Sequence, residues 1–153
     1  LSAGEFAAAV RYLKAEARRI AAWQEQFDLL LTPTLSCPPP PHGTYRLPRK
    51  DLLGLQVMGA IGAGGVLKAS GMIRQAAEEA FSFIPWTPVS NATGQPAMSV
   101  PLEWNSEGLP VGMHFIGRYA DEATLFRLAG QLERAQPWFD RRPVIGRGRE
   151  TAG

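Results

Sequence analysis

The chain has 153 residues, of which 45% are hydrophobic and 20% charged, and its formal net charge is +2 at pH 7. This composition is typical of a soluble globular unit that is large enough to bury a core. Lysines and arginines are scattered among acidic residues, so the pI near 9.0 gives no reason to expect a nucleic-acid partner. No apolar run approaches the roughly 20 residues of a membrane span, so no membrane partner is expected either.

The few reactive side chains exclude several kinds of site. Cys37 is the only cysteine, so no internal disulfide is expected, and a single thiol with no visible signal peptide predicts a cytoplasmic protein. Cys37, His42 and His114 lack the spacing of metal ligands, so neither a metal nor a cofactor is predicted. A nucleophile could be drawn from Cys37 or Ser90 with one of these histidines, but no Gly-x-Ser-x-Gly elbow supports it.

The first third of the chain predicts a helix, a strand and a loop. A helix is expected from Ser2 to about Gln26, because Ser2 and Glu5 form a capping box and apolar residues recur at helical spacing. Residues 28–32 contain three successive apolar residues, Leu29 to Leu31, which predicts a strand covered on both faces. Segment 43–70 is rich in glycine and is predicted to be a variable loop with room for a short helix.

The rest of the chain predicts a helix, a hairpin and a final helix. The helix covers Met72–Phe83 and is broken by the two prolines that follow it. Strands at Ala97–Trp104 and Leu109–Ile116 are joined by a turn that ends in glycine. Asp121 can cap an amphipathic helix after them. This order predicts an α/β fold in which part of a mixed β-sheet is flanked by helices.

A compact turn is predicted at residues 91–94, between the helix at 72–83 and the hairpin. Asn91 and Thr93 have side chains that hydrogen-bond nearby backbone, and Gly94 supplies conformational freedom. In a structural role this turn would fix how the following strand enters the sheet, which explains every residue type in it. The functional alternative is a rim beside a pocket.

Four motifs follow one another in the second half of the chain: Asn91-x-Thr93-Gly94-x-Pro96-Ala97, Ser99-Val100-Pro101, Gly108-Leu109-Pro110-Val111-Gly112 and Asp121-Glu122-Ala123-Thr124-Leu125. Upstream, an amphipathic helix leads into the apolar strand at 28–32. This ordered set resembles the C-terminal region of the amidase signature family. The resemblance covers nearly the whole chain, is weakest from Gly43 to Ser70, and implies the fold and the amide-hydrolysing activity of that family.

The resemblance also implies that the catalytic residues lie elsewhere. Members of the family are similar to one another in a Ser–cis-Ser–Lys triad located well before this region. This sequence has no adjacent pair of serines, and its only lysines, Lys14, Lys50 and Lys68, stand in no matching context. Residues 1–153 are therefore expected to be the C-terminal segment of an amidase domain, inactive alone, whose partner is the missing N-terminal part with the catalytic motif.

Candidate substrate-binding residues follow from the same resemblance. In the family, the segment before the Asn-x-Thr-Gly turn lines the acyl side of the substrate pocket. The corresponding residues are Phe81, Ile84, Trp86 and Pro88, with Asn91 as an orienting polar group. Such an apolar, aromatic wall implies a small-molecule amide with a hydrophobic or aryl acyl group. The alternative is that Phe81 and Ile84 are ordinary core residues.

Two other functions stay open. One is an amidotransferase A-type subunit that releases ammonia from glutamine, and the other is a non-catalytic binding or scaffold module of the same fold. Many relatives have glutamine in a Gly-x-Gln-x-x-Gly stretch where this chain has His114. That departure weakens the kinship with tRNA-dependent amidotransferase subunits. A homo-oligomer stays open as a further partner.

Overall fold

The computed structural model describes residues 2–44, 49–60, 62, 65 and 71–142. Its helices and strands are, in chain order, α1 (Ala3–Gln24), β1 (Leu29–Pro33), α2 (Arg49–Ala60), α3 (Met72–Phe83), α4 (Thr87–Thr93), β2 (Ala97–Trp104), β3 (Pro110–Gly117) and α5 (Glu122–Ala135). The predicted α/β organisation is confirmed. Within these residues, no helix has the length and apolar character needed to span a membrane.

Helix α1 begins at the predicted capping box. The Ser2 Oγ accepts a hydrogen bond from the Glu5 backbone N–H at 3.2 Å, and the Glu5 carboxylate accepts one from the Ser2 N–H at 2.8 Å. These bonds satisfy backbone donors that the first helical turn leaves without partners. The helix ends two residues earlier than predicted, at Gln24. Phe6 and Leu13 in its first half are exposed.

A buried pair of amides ties the end of α1 to the sheet. The Gln24 Nε2 donates to the Ile116 carbonyl at 2.8 Å. The Gln95 Nε2 donates to the Gln24 Oε1 at 2.8 Å and to the Gly117 carbonyl at 3.1 Å. Gln24 and Gln95 are only 1% and 5% exposed. These bonds therefore offset much of the cost of removing two amide groups from water.

The three strands form an antiparallel sheet in the order β1–β3–β2. β2 and β3 are the predicted hairpin, and β1 pairs along the opposite edge of β3. The β2–β3 register shifts between Pro101 and Glu103, as in a β-bulge. Proline fits there because it has no N–H to donate and β2 lies at an edge of this sheet.

The prediction that the first strand is covered on both faces is wrong for the described chain. β1 lies at an edge of the sheet, and Leu31 is 51% exposed although Thr32 beside it is buried. Helix α5 covers one face of the sheet, but it packs mainly on β3 and β2. The strand also continues to Pro33. The apolar run by itself does not specify which elements pack against the strand.

The core lies between the sheet and α5. Val100, Phe115 and Leu125 form its buried centre, and partly buried residues from the sheet, α5 and the segment after it surround them. The Asp121 Oδ1 accepts a hydrogen bond from the Thr124 backbone N–H at 3.3 Å, so the predicted helix cap is confirmed. Burying this apolar face is the main contribution of α5 to stability.

The segment predicted as a glycine-rich loop, 43–70, contains a helix of 12 residues, α2. Gly54 and Gly59 lie inside that helix, for which the loop prediction left room. Glycine costs only about 1 kcal/mol in a helix, which the leucines and other helix-forming residues around it can outweigh. Residues 45–48, 61, 63, 64 and 66–70 of the same prediction lie outside the described residues.

The turn predicted at residues 91–94 is the end of helix α4. Pro88 lies in the first turn of this helix, where its missing N–H removes no intrahelical bond and its fixed φ suits the helix. Gly94 ends the helix with a φ of 74°, in the left-handed region that glycine adopts readily. The proline expected to break the helix before it therefore also starts a new one.

His114 joins β1 to β3 from a buried position. Its Nδ1 lies 3.1 Å from the Thr32 Oγ1, and the two residues are direct partners in the strand register. His114 is only 4% exposed to solvent. Burial lowers the pKa of His114 below its ordinary value of 6.5, because the charged ring would lose its hydration.

We expect the free energy of unfolding to fall as the pH drops from about 7 to about 5. The unfolded chain takes up a proton at His114 near pH 6.5, whereas the folded chain resists that proton. The stability present above the unfolded pKa is therefore lost below it. His114→Gln should flatten this dependence in urea unfolding series, because glutamine does not titrate. His42→Gln, which changes an exposed histidine, is the control. An unchanged pH slope in His114→Gln would contradict the expectation.

We expect Gly112→Ala to destabilise the chain by about 1–3 kcal/mol through overpacking. A Cβ at this position would lie 2.5 Å from the Thr34 Oγ1 and 2.7 Å from the Ser99 Oγ. These two hydroxyls already hydrogen-bond each other at 2.6 Å. Gly130→Ala in α5 is the matched control, because its Cβ would meet nothing closer than 3.6 Å. Equal urea midpoints for the two variants would refute the clash.

Candidate functional site

The five residues nominated for substrate binding lie where α3 passes into α4. Phe81 belongs to the last turn of α3 and Ile84 follows its end, while Trp86 precedes α4, which contains Pro88 and Asn91. Phe81 and Trp86 are 54% and 43% exposed, and Ile84 and Pro88 are half-buried. Phe81 is thus not a core residue of the described chain. None of the five lines either of the two cavities described next.

An apolar cavity of about 280 Å³ opens between the loop after β1 and the turn end of the β2–β3 hairpin. One wall is residues 34–39, and the other is residues 109–112 together with Asn105. We call it the hairpin cavity. No charged side chain is among its lining residues. Small-molecule sites are typically concave and mostly apolar in this way.

Hydrogen bonds hold the loop wall of the hairpin cavity. The Thr34 N–H donates to the Gly112 carbonyl at 2.9 Å, so the loop leaves β1 alongside β3. The Ser36 N–H donates to the Phe83 carbonyl at 3.1 Å, and the Ser36 Oγ donates to the Ser82 carbonyl at 2.7 Å. The loop is therefore attached to the last turn of α3, where the nominated substrate wall begins.

The opposite wall of the hairpin cavity is held by Asn105. Its Oδ1 accepts hydrogen bonds from the backbone N–H groups of Glu107 at 3.0 Å and Leu109 at 2.8 Å. An asparagine side chain that bonds backbone a few residues on mimics a backbone turn and restricts the loop. Hydrogen bonds within the chain therefore order the backbone of both walls, and no ligand is needed for this.

A second cavity, of about 320 Å³, lies on the hairpin beside the segment that follows α5. Its lining combines tryptophans with arginines. The guanidinium of Arg141 lies 4.1 Å from the centroid of the Trp104 ring, a cation–π contact. The Arg141 N–H also donates to the Trp138 carbonyl at 3.0 Å. This contact fastens the segment after α5 to the hairpin.

The nucleophile–histidine pairs considered from the sequence do not form. The Ser90 Oγ donates to the Thr87 carbonyl at 3.0 Å, and His114 is bonded to Thr32 inside the sheet. A buried threonine and histidine cannot reach a substrate. In the ranges that the structure describes, no cluster of three or more His, Cys, Asp or Glu side chains could hold a metal ion.

Sequence reasoning missed the hairpin cavity. Its walls come from residues about 70 positions apart, and their contact depends on the pairing of β1 with β3. Two features of the sequence were consistent with a cavity wall. The proline-rich stretch after the first strand cannot form a helix or a strand, and the hairpin end is apolar at 109–111. Neither feature identifies the other as its neighbour.

Residues 66–126 match the family model described as Amidase. The putative amidase AmiB2 of Mycobacterium tuberculosis (strain H37Rv) is 48% identical over 62 residues, which are 40% of this chain and 13% of that protein. The 6-aminohexanoate-cyclic-dimer hydrolase of Paenarthrobacter ureafaciens is 33% identical over 142 residues, which are 92% of this chain and 25% of that protein. The chain thus spans a quarter or less of the length of these curated relatives.

A solved structure extends the match to the fold. The structure of 6-aminohexanoate cyclic dimer hydrolase complexed with substrate aligns with a TM-score of 0.71 at 31% identity, and covers 94% of this chain and 27% of that chain. The matched family model includes α3, α4 and the hairpin, whereas the structural match takes in nearly every element. From the shared sequence and the shared fold together, the chain belongs to the amidase signature family.

Proposed function

We propose that this chain is the C-terminal segment of an amide hydrolase that cleaves the C–N bond of linear amides by a Ser–cis-Ser–Lys mechanism. In that role it supplies strands and a wall of the substrate pocket, and the nucleophile comes from outside these 153 residues. The observation that carries the proposal is the structural match to 6-aminohexanoate cyclic dimer hydrolase. It covers 94% of this chain but only 27% of the hydrolase.

The side chains present support the proposal that this chain forms a wall of the pocket and that the nucleophile comes from outside it. The sequence has no adjacent serines, and its lysines do not occur in the family's catalytic context. Ser90 and His114 bond other groups. An unactivated serine is a weak nucleophile, because its hydroxyl needs a base within hydrogen-bond reach. What the chain offers instead is apolar surface near Phe81 and Trp86, which suits a hydrophobic or aryl acyl group.

Exposed apolar surface supports a partner that is the remainder of a longer protein. Monomeric proteins rarely leave large contiguous apolar patches in water, yet this chain exposes large side chains on several elements. β1 also has backbone groups along its outer edge that pair with no described strand, which is a template for adding another strand. The exposed residues on α1, β1 and the α3–α4 junction include Phe6, Tyr12, Leu13, Leu31, Phe81 and Trp86.

The proposed substrate is a small amide, and the proposed location is the cytoplasm. The single free thiol, Cys37, supports a reducing compartment. An amidotransferase subunit would differ by releasing ammonia from glutamine under stimulation by a partner subunit. A binding or scaffold module would hydrolyse no amide in any combination of chains.

We expect the 153-residue chain alone to release no nitroaniline from p-nitroacetanilide and to resist labelling by a fluorophosphonate probe. Among the described residues no hydrogen bond joins a serine to a lysine or histidine, and both tests require an activated serine. The intact 6-aminohexanoate-cyclic-dimer hydrolase, assayed on the cyclic dimer in its name as well as on p-nitroacetanilide, is the positive control. Stoichiometric labelling of this chain would contradict the absence of a nucleophile.

A chimera tests the positive half of the proposal. The section of the Paenarthrobacter ureafaciens hydrolase that aligns with this chain, 25% of its length, is replaced by this chain. We expect this chimera to hydrolyse p-nitroacetanilide, whereas the hydrolase without that section should be inactive. Circular dichroism and gel filtration establish that the chimera is folded. A folded chimera that hydrolyses no amide would refute the proposal, and one that deamidates glutamine instead would favour the amidotransferase.

A further inference from the structure

The hairpin cavity has the chemistry of a site for an uncharged group. Leu35, Pro38, Leu109 and Val111 are among its lining residues, and none of the lining side chains is charged. Removing an ionised group from water costs several kcal/mol unless an opposite charge or several hydrogen bonds compensate. Thr34, Ser36 and Asn105 also line the cavity, but their side-chain oxygens already hydrogen-bond other groups of the chain. Little compensation remains for a charge, so the group that fits here is neutral and apolar.

The size of the cavity limits what it can hold. A dry apolar cavity of about 150 Å³ binds benzene, and the hairpin cavity measures about 280 Å³. It therefore has room for one six-membered ring with a short chain, or for an alkyl chain of similar bulk. Its volume lies just below the range of about 300–1,000 Å³ that is typical of sites for drug-sized molecules.

The cavity is also preformed and adjacent to the nominated substrate wall. Pro38 and Pro39 restrict the loop, and Ser36 fixes it to the carbonyls of Ser82 and Phe83. A site whose walls are already ordered loses little conformational entropy when it binds. Ser82 and Phe83 directly follow Phe81, so the loop wall is attached within two residues of the position where the acyl group is expected.

We propose that the hairpin cavity is an apolar subsite that holds a neutral aryl or short alkyl substituent of the amide substrate. This assignment rests on the proposed function, and it adds to that function a second surface that selects the substrate. Val111 and Leu109 are then specificity-determining residues. A charged substituent of the same size is excluded by its desolvation cost.

Cys37 provides a reporter for occupancy of the cavity. It is the only cysteine of the chain, it is exposed, and it lines the cavity. A ligand in the cavity should therefore slow its reaction with a fluorescent maleimide. We expect benzamide to slow labelling several-fold and saturably in the full chain. Acetamide, which lacks the ring, and 1-methylnicotinamide, which carries the carboxamide on a cationic ring, should protect little.

A matched pair of variants assigns the protection to the cavity. Val111→Trp places a large side chain in the cavity and should abolish protection by benzamide. Leu53→Trp makes a similar change at an exposed position of α2 and should keep it. Each labelling rate is compared with the same variant without ligand, and urea midpoints show that both variants are folded. Equal protection in Val111→Trp, or equal protection by the cationic ring, overturns the subsite.

Kinetics in the chimera separate this inference from the proposed function. Val111→Trp should raise the KM for p-nitroacetanilide several-fold more than the KM for acetamide, and Leu53→Trp should change neither. An active chimera without benzamide protection overturns the subsite alone. An inactive, folded chimera with saturable protection overturns the proposed function, and with it the assignment of the bound group to an amide substrate.

Discussion

The two-sided pairing of β3 is the constraint on which the rest of the structure depends. One edge of this strand bonds β2 and the other bonds β1. Its backbone also accepts hydrogen bonds from Thr34 at the cavity loop and from the buried amides of Gln24 and Gln95. Helix α1, the cavity loop and the hairpin are thereby positioned against one strand. A slip of one residue would exchange the faces of His114 and Phe115.

Local signals made much of the fold predictable. The capping box at Ser2, the Asp121 cap and the glycine-ended turn of the hairpin are encoded within a few residues of where they act, and the structure contains all three. Glycine and proline are poor predictors of helix ends, because their effect depends on their position in the helix. Pro88 lies in the first turn of a helix, and Gly54 lies in the interior of another. Local patterns do not encode that context.

The site was less predictable, because its contacts join distant parts of the chain. Gln24 meets Gln95 across 71 positions, and Thr32 meets His114 across 82. No periodicity identifies such partners, and a polar residue in a helix is expected on the surface until its acceptor is known. The family resemblance nominated the exposed surface at Phe81 and Trp86. It did not point to the loop wall that Ser36 attaches beside that surface.

The outer edge of β1, which pairs with no strand among the described residues, has a consequence for biosynthesis. A free edge can pair with another chain, and such surfaces are most hazardous while folding is incomplete. Under the proposed C-terminal placement, the ribosome makes the covering part of the enzyme before it makes β1. The edge then emerges next to its partner and is exposed only briefly. Placing the same segment first in the polypeptide would leave that edge open to self-association for about a minute or more, at a translation rate of roughly 5 residues per second.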